Sequence, residues 1–303
     1  MSFNHVRYFI EVARCGSIRE ASERLNVAAS ALSRQIQNLE QEFGVPLFER
    51  LPRGMRLSPA GEIYVRYARS VHLESDRVRN EIEELRGLRR GTIKVYAVEG
   101  SIADVLTHVI AVFRDKHPGI SFKLVAIGTD DVVTAVRDGQ ADVGVSFHGQ
   151  ADAAVRFVRR FRDPLRALVH PRHPLAKRRQ LSLIEALGFP MALPQPGFGI
   201  RRLIDEQCRR LGLSVTPALE TNSIEALRGF ARSGAGISML PTSSVRRELR
   251  QKLVSAIPLS DRPLNQCSMD ISVLGGRRLP AALTEFLGVL EQALVSDTSG
   301  PPG

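Results

Sequence analysis

The chain has 303 residues, 43% hydrophobic and 24% charged, with a formal net charge of +10. That length suits about two to three domains with a sizeable core. No run reaches the roughly 18 uncharged apolar residues of a membrane span, and Arg7, Glu11 and Arg14 interrupt the N-terminal apolar pattern, which excludes the core of a signal peptide; a cytoplasmic protein without a membrane partner is expected.

Three helical patterns open the chain. Phe3, Val6, Phe9, Ile10 and Ala13 recur at helical spacing and stop at Gly16. Ser17 and Glu20 then read as a capping box, in which the hydroxyl accepts from the amide three residues on and the carboxylate reaches back. A second helix runs from Ile18 to Leu25, and Asn26 tolerates the left-handed turn that ends it. A third carries Leu32, Ile36, Leu39 and Phe43 on one face and ends at Gly44.

Two helices joined by a tight turn behind a supporting helix make a helix-turn-helix, whose later helix enters the major groove. Its polar face here holds Ser30, Ser33, Arg34, Gln37 and Asn38, short donors and acceptors with one guanidinium, suited to base edges and phosphates. The same pattern also fits a plain solvated helix face. Charge does not separate the two readings, since residues 1–58 hold eight Arg against six Glu. The densest basic run lies at residues 156–179 and reads as a surface coat.

Two short apolar runs, residues 46–50 and 55–57, flank a Pro/Gly turn over 51–54 and predict a hairpin, or wing. Arg53 sits at its tip, within reach of a phosphate or the minor groove. A long helix follows, with Ser58 as its cap and Pro59 at its first position. Tyr64, Ala68, Val71, Ser75, Val78, Ile82 and Leu85 alternate four and three apart along it, a heptad seam with a polar flaw at Ser75. The stripe needs a cover, either a second subunit or the chain's own body. Residues 87–91 form a hinge.

Beyond it, strand and helix patterns alternate: strands over 91–97, 120–127 and 141–147 with helices over 102–116 and 129–138 between them. A second block has strands at 165–169, 190–193, 218–221 and 236–240 and helices over 181–187, 200–211, 224–233 and 243–252. A strand over 269–274, a helix over 280–294 and a small polar tail from Ser296 close the chain. This order predicts α/β units with a largely parallel sheet. Ligands of such sheets meet strand C-termini and helix N-termini. That singles out Ser101, Gly128, Thr129, Phe147, the loop 196–200 with Phe198 and Ile200, and Thr221 and Asn222 ahead of Ser223. Ser101, Thr129 and Ser223 also fit as simple helix caps. Helix N-termini with Arg201 and Arg202 nearby suit a small anion.

No catalytic or metal chemistry stands out, and no cofactor is expected. His170 and His173 lack a carboxylate or cysteine partner at ligand spacing. Gly197-Phe198-Gly199 has Arg202 where a dinucleotide fingerprint needs its third glycine. Cys15, Cys208 and Cys267 are too scattered for a disulfide framework or a metal knuckle.

Residues 17–61 resemble the winged helix-turn-helix of LysR-type transcription regulators. The likeness rests on Ser33-Arg34-Gln35-Ile36, Leu39-Glu40 and Gly44-Val45-Pro46-Leu47-Phe48-Glu49-Arg50, in order and at the N-terminus. Residues 139–144 and 234–241 carry a weaker likeness to the effector-binding domain of that family, which is similar to periplasmic solute-binding proteins. The resemblance implies a winged helix-turn-helix over 1–58, a linker and dimerisation helix with hinge over 59–90, and an α/β effector domain over 91–303. Lobe one would comprise 91–161 and 268–295, and lobe two 162–267, with a small effector between them. It further implies a homodimer assembling to a tetramer on dyad-symmetric double-stranded DNA. Ala28 and Ala29 replace the Ser and Gln usual in the family, which removes a helix cap and a bidentate adenine reader. The competing readings are a solute-binding or enzymatic α/β module, and a regulator of this type with no small effector.

Overall fold

A computed structural model describes residues 3–52, 54–85, 91–276 and 278–298. The chain divides into two units, Met1–Leu88 and Arg89–Gly303. Arg53 and most of the expected hinge lie outside the described residues.

The first unit comprises α1 (Phe3–Cys15), α2 (Ile18–Leu25), α3 (Ala29–Phe43), the antiparallel hairpin β1 (Phe48–Leu51) and β2 (Gly54–Leu57), and α4 (Pro59–Leu85). Ser17 Oγ accepts from the Glu20 amide at 3.4 Å. The Glu20 carboxylate, expected to reach back, instead takes Arg24 at 2.7 Å, so half of the capping box forms. Asn26 is left-handed, at φ 55°. Val6, Phe9 and Val12 of α1 meet Leu32, Ile36 and Leu39 of α3 in one buried cluster. Phe9 is its centre, with ring centroids 4.9 Å from Phe48 and 4.6 Å from Tyr64.

The expected heptad seam on α4 is corrected in its first half. Tyr64 and Ala68 are buried in this unit's own core, and Val71 packs at its margin. Among the described residues, the exposed large apolar side chains of α4 are Ile63, Tyr67, Val78 and Ile82; the Leu85 side chain lies outside the described residues. The helix is longer than the core beneath it, so one stripe serves two environments in turn.

The start of α4 is clamped to the wing. Ser58 Oγ accepts from the Gly61 amide at 3.0 Å and donates to the Pro46 carbonyl at 2.7 Å. A Cβ on Gly61 would lie 1.9 Å from the Leu47 carbonyl oxygen, an impossible contact with backbone. Gly61→Ala is therefore expected to lower the stability of the first unit by about 3 kcal/mol. Thermal unfolding followed by amide exchange in α1–α4 checks this, and wild-type protection would contradict it.

The second unit opens with β3 (Gly91–Ala97), a 3-10 turn at Glu99–Ser101, a π-turn at Ile102–Leu106 and α5 (Thr107–Lys116). It continues through β4 (Ile120–Ala126), α6 (Thr129–Arg137), β5 (Val143–Phe147) and β6 (Val155–Arg162). The chain then crosses to β7 (Leu165–Val169), α7 (Leu183–Ala186), β8 (Met191–Pro194), α8 (Gly199–Arg210), β9 (Leu219–Thr221) and α9 (Ile224–Arg232). After β10 (Ile237–Pro241), α10 (Arg246–Arg250), β11 (Ser255–Pro258) and α11 (Arg262–Asn265), it returns as β12 (Ser268–Leu274) and ends in α12 (Ala281–Thr298).

Two sheets result, ordered β4-β3-β5-β12-β6 and β11-β7-β10-β8-β9. The expectation of a largely parallel arrangement is corrected, because both sheets are mixed. β12 runs antiparallel to β5 and β6, and β7 antiparallel to β10 and β11. The cause is the double crossing: a chain that leaves one sheet and returns to it re-enters in the opposite sense. The two crossings are tied where the Asp163 amide donates to the Cys267 carbonyl at 2.9 Å. Asp163 is buried, which raises its carboxyl pKa, and the Ser243 hydroxyl and amide hold it. α12 continues to Thr298, past the residue where a polar tail was expected to begin.

Candidate functional site

α3 turns Leu32, Ile36 and Leu39 inward, and this fixes what faces out. Ser30, Arg34, Gln37 and Asn38 are exposed and Ser33 is half-buried. Arg14, Arg19, Arg24 and Arg56 are each paired with a glutamate. Arg34 has no such partner among the described residues. An exposed, uncompensated guanidinium flanked by hydroxyl and amide groups is equipped to bind a phosphate or to fork onto a guanine edge.

Glu40 gives this face its geometry, a role the sequence pattern did not disclose. Its Oε1 accepts the amides of Leu47 at 2.8 Å and Phe48 at 3.1 Å, holding the wing to the end of α3. The signal was present as an acidic residue seven and eight positions before an apolar run. No spacing rule marks such a contact, because it depends on the return path of the loop.

At the other end of α3, Ala28 has the extended backbone of a cap, φ −66° and ψ 134°, but no side-chain hydrogen bond. Restoring the hydroxyl with Ala28→Ser should add about 1 kcal/mol to the stability of the first unit. Denaturant unfolding measures it, and an unchanged or lowered midpoint would refute the missing-cap account.

The second candidate is a cleft between the two sheets. Val98, Gly100, Thr129, Phe147 and Met269 line it from one lobe, and Phe198, Gly199, Ile200, Ile224, Pro241 and Ser244 from the other. Four of the expected effector residues, Thr129, Phe147, Phe198 and Ile200, are thus brought together. The other four lie off the wall. Ser101 spends its hydroxyl on the Val98 carbonyl at 2.9 Å. Gly128 is the cap position of α6. Thr221 Oγ1 accepts the Ser223 amide at 3.1 Å, and Asn222 faces solvent. Ser223 caps α9 by accepting from Ala226 at 3.3 Å.

The cleft is closed. Its free room is about 10 Å³, enough for about one water. Thr129 Oγ1 donates to the Phe147 carbonyl at 3.2 Å. Arg202 pairs with Asp130 and donates to the His148 carbonyl at 2.7 Å. Arg201, also expected near an anion, is taken by Asp205 at 2.9 Å and Glu220 at 2.6 Å. Burial lowers the His148 pKa, chiefly by desolvating the charged ring, and raises that of Asp270 in β12.

His170 and His173 serve their own loop. Their Nδ1 atoms accept the amides of Arg172 at 3.1 Å and Leu175 at 3.2 Å. Among the described residues no group of His, Cys, Asp or Glu is arranged to hold a metal. No described helix is long and apolar enough to cross a membrane.

Comparisons with known proteins match both units of the chain to family models. Residues 3–62 match the family model described as bacterial regulatory helix-turn-helix protein, lysR family, and residues 86–295 match LysR substrate binding domain. The transcriptional dual regulator GltC of Bacillus subtilis is 31% identical, over 80% of this chain and 82% of that protein. The regulator BenM of Acinetobacter baylyi is 28% identical, over 86% of each. Among solved structures, a full-length OxyR from Pseudomonas aeruginosa aligns with a TM-score of 0.69 at 23% identity, covering 97% of this chain and 94% of that one.

Proposed function

The chain belongs to the LysR family of bacterial transcription regulators, and on that premise we propose that its α3 face reads a dyad-symmetric operator in the cytoplasm while a small effector in the inter-lobe cleft sets its activity. It is a DNA-binding regulator with an effector-binding domain. The work assigned to its sites is recognition, with no catalytic step.

The observation that carries the DNA assignment is the exposed Arg34, without a carboxylate partner among the described residues, on a helix whose opposite face is locked into the core. A single good bidentate or phosphate contact contributes about 1–3 kcal/mol. Arg34→Ala should therefore weaken operator binding about tenfold or more at moderate salt while leaving the fold intact. A gel shift against the chain's own upstream region tests this; unchanged affinity would remove α3 from the interface. Gln37, Asn38, Ser30 and Ser33 supply the remaining polar contacts, and Arg53, which falls between β1 and β2 in the sequence, adds a further one. With Ala29 in place of an amide-bearing residue, an adenine-reading contact is lost, so the preferred operator differs from that of typical relatives.

Effector binding requires the cleft to open, because the free room holds only about one water. Thr129, Phe147, Phe198 and Ile200 are the contacts best supported. A thermal-shift screen of small acids would find the effector through the added stability of the bound state.

For assembly, the exposed apolar residues Val78 and Ile82 on α4 form the subunit seam, with Ile63 and Tyr67 as further exposed apolar surface. Tyr64 and Ala68 are spent within the chain. Val78→Asp, which puts a charge into the seam, should turn dimers into monomers by sedimentation without unfolding the first unit. A fully dimeric variant would assign the contact elsewhere.

A further inference from the structure

Two helices of the second lobe point amides or cations toward the first lobe, and in both cases the first lobe answers with a carboxylate. The leading amides of α9 have no partner within the helix and attract negative charge. Ser223 takes one of them, that of Ala226. The next, from Ile224, donates at 2.8 Å to Glu99 Oε2, which comes from the turn after β3 in the opposite lobe. Ser223 Oγ donates to the other oxygen of that carboxylate at 3.5 Å. Among the described residues no Lys or Arg pairs with Glu99.

The contact lies at the rim of the cleft, since Ile224 lines it directly and so does Gly100, the neighbour of Glu99. The lobes meet tightly at this point: a Cβ on Gly100 would lie 2.3 Å from Ser244 Oγ. Across the cleft, Arg202 of α8 is answered in the same way by Asp130 of α6, and the Asp130 amide donates back to the Gly197 carbonyl at 3.4 Å. The features that suggested an anionic effector are therefore already occupied by anions of the chain itself.

Resting on the reading of this cleft as the effector site, we propose that Glu99 is a tethered ligand. Its carboxylate fills the anion position at the start of α9, closes the lobes without an effector, and excludes free carboxylates from that position. Charge-assisted hydrogen bonds of this kind are stronger than neutral ones. An effector either displaces Glu99 or binds through other groups of the cleft, so Glu99 determines specificity as well as closure.

The test is chemical rescue in the full-length protein. Thermal unfolding of the second unit is compared for wild type, Glu99→Ala and Glu99→Gln in sodium acetate and in sodium chloride of equal ionic strength and pH. Glu99→Ala should melt about 5 °C lower in chloride and recover with acetate in a saturable way. Wild type and Glu99→Gln, whose side chains still fill the position, should respond equally to the two salts. A Glu99→Ala variant that melts with wild type, or that acetate restores no better than chloride, overturns the proposal. If that variant does not fold, exchange of the Ile224 amide decides: about tenfold faster exchange in Glu99→Gln than in wild type supports the tether, and equal exchange overturns it. Operator affinity in the same samples separates the two readings. Acetate rescue with identical DNA binding in all states keeps the tether and removes the cleft from regulation.

Discussion

The burial of Leu32, Ile36 and Leu39 is the constraint on which the first unit depends. Three apolar side chains at spacings of four and three occupy one face of α3, and a helix has only one rotation that hides them all. With that rotation set by Phe9 and its neighbours, Arg34, Gln37 and Asn38 have nowhere to go but outward. A DNA-reading helix must present its side chains at a fixed angle, since recognition geometry tolerates little play. The rigidity comes from apolar packing on the far side, reinforced by Glu40 gripping the wing and by the close meeting of Gly61 with the Leu47 carbonyl.

The second unit solves a different problem. Two sheets that must approach and separate cannot be joined by a broad apolar interface alone, because such an interface would hold one arrangement. Here the covalent link is limited to two crossings, tied at Asp163 and Cys267. Beside the apolar residues that meet across the cleft, a few directional polar contacts join the lobes at the rim, those of Glu99 with Ile224 and of Arg202 with Asp130 and His148. Polar contacts of this kind can be exchanged one for another by a ligand offering equivalent groups, whereas buried apolar area cannot. The inside of the cleft, lined by Phe147, Phe198, Ile200 and Ile224, supplies the apolar surface that an incoming molecule would cover.

The legibility of the sequence varied with the range of the interactions involved. The helix pair, its left-handed stop at Asn26 and the uncapped Ala28 follow from local rules and stand in the structure as read. Strand β6 went unread because four arginines among its eight residues hide the alternation of an edge strand, which faces water on one side. The heptad on α4 was read as one seam although Tyr64 and Ala68 belong to a different environment from Val78 and Ile82. Periodicity reports that a stripe must be covered; it does not report by what. Likewise the rule that ligands gather at strand ends singled out Thr129, Phe147, Phe198 and Ile200, which line the cleft, and equally Ser101, Thr221 and Asn222, which lie off its wall.

The class of the protein, most of its helices and the polar face of α3 were legible in the residues alone, because each of these rests on contacts between residues close in the chain or on a dense local motif. The tertiary structure alone decided the mixed sense of the sheets, the division of α4 between core and exposed surface, and the closed state of the cleft. Glu99 and Ile224 lie 125 positions apart. Nothing in the neighbourhood of either residue says that a carboxylate of one lobe meets the first amides of a helix in the other, since that meeting is a property of how two sheets are folded onto each other.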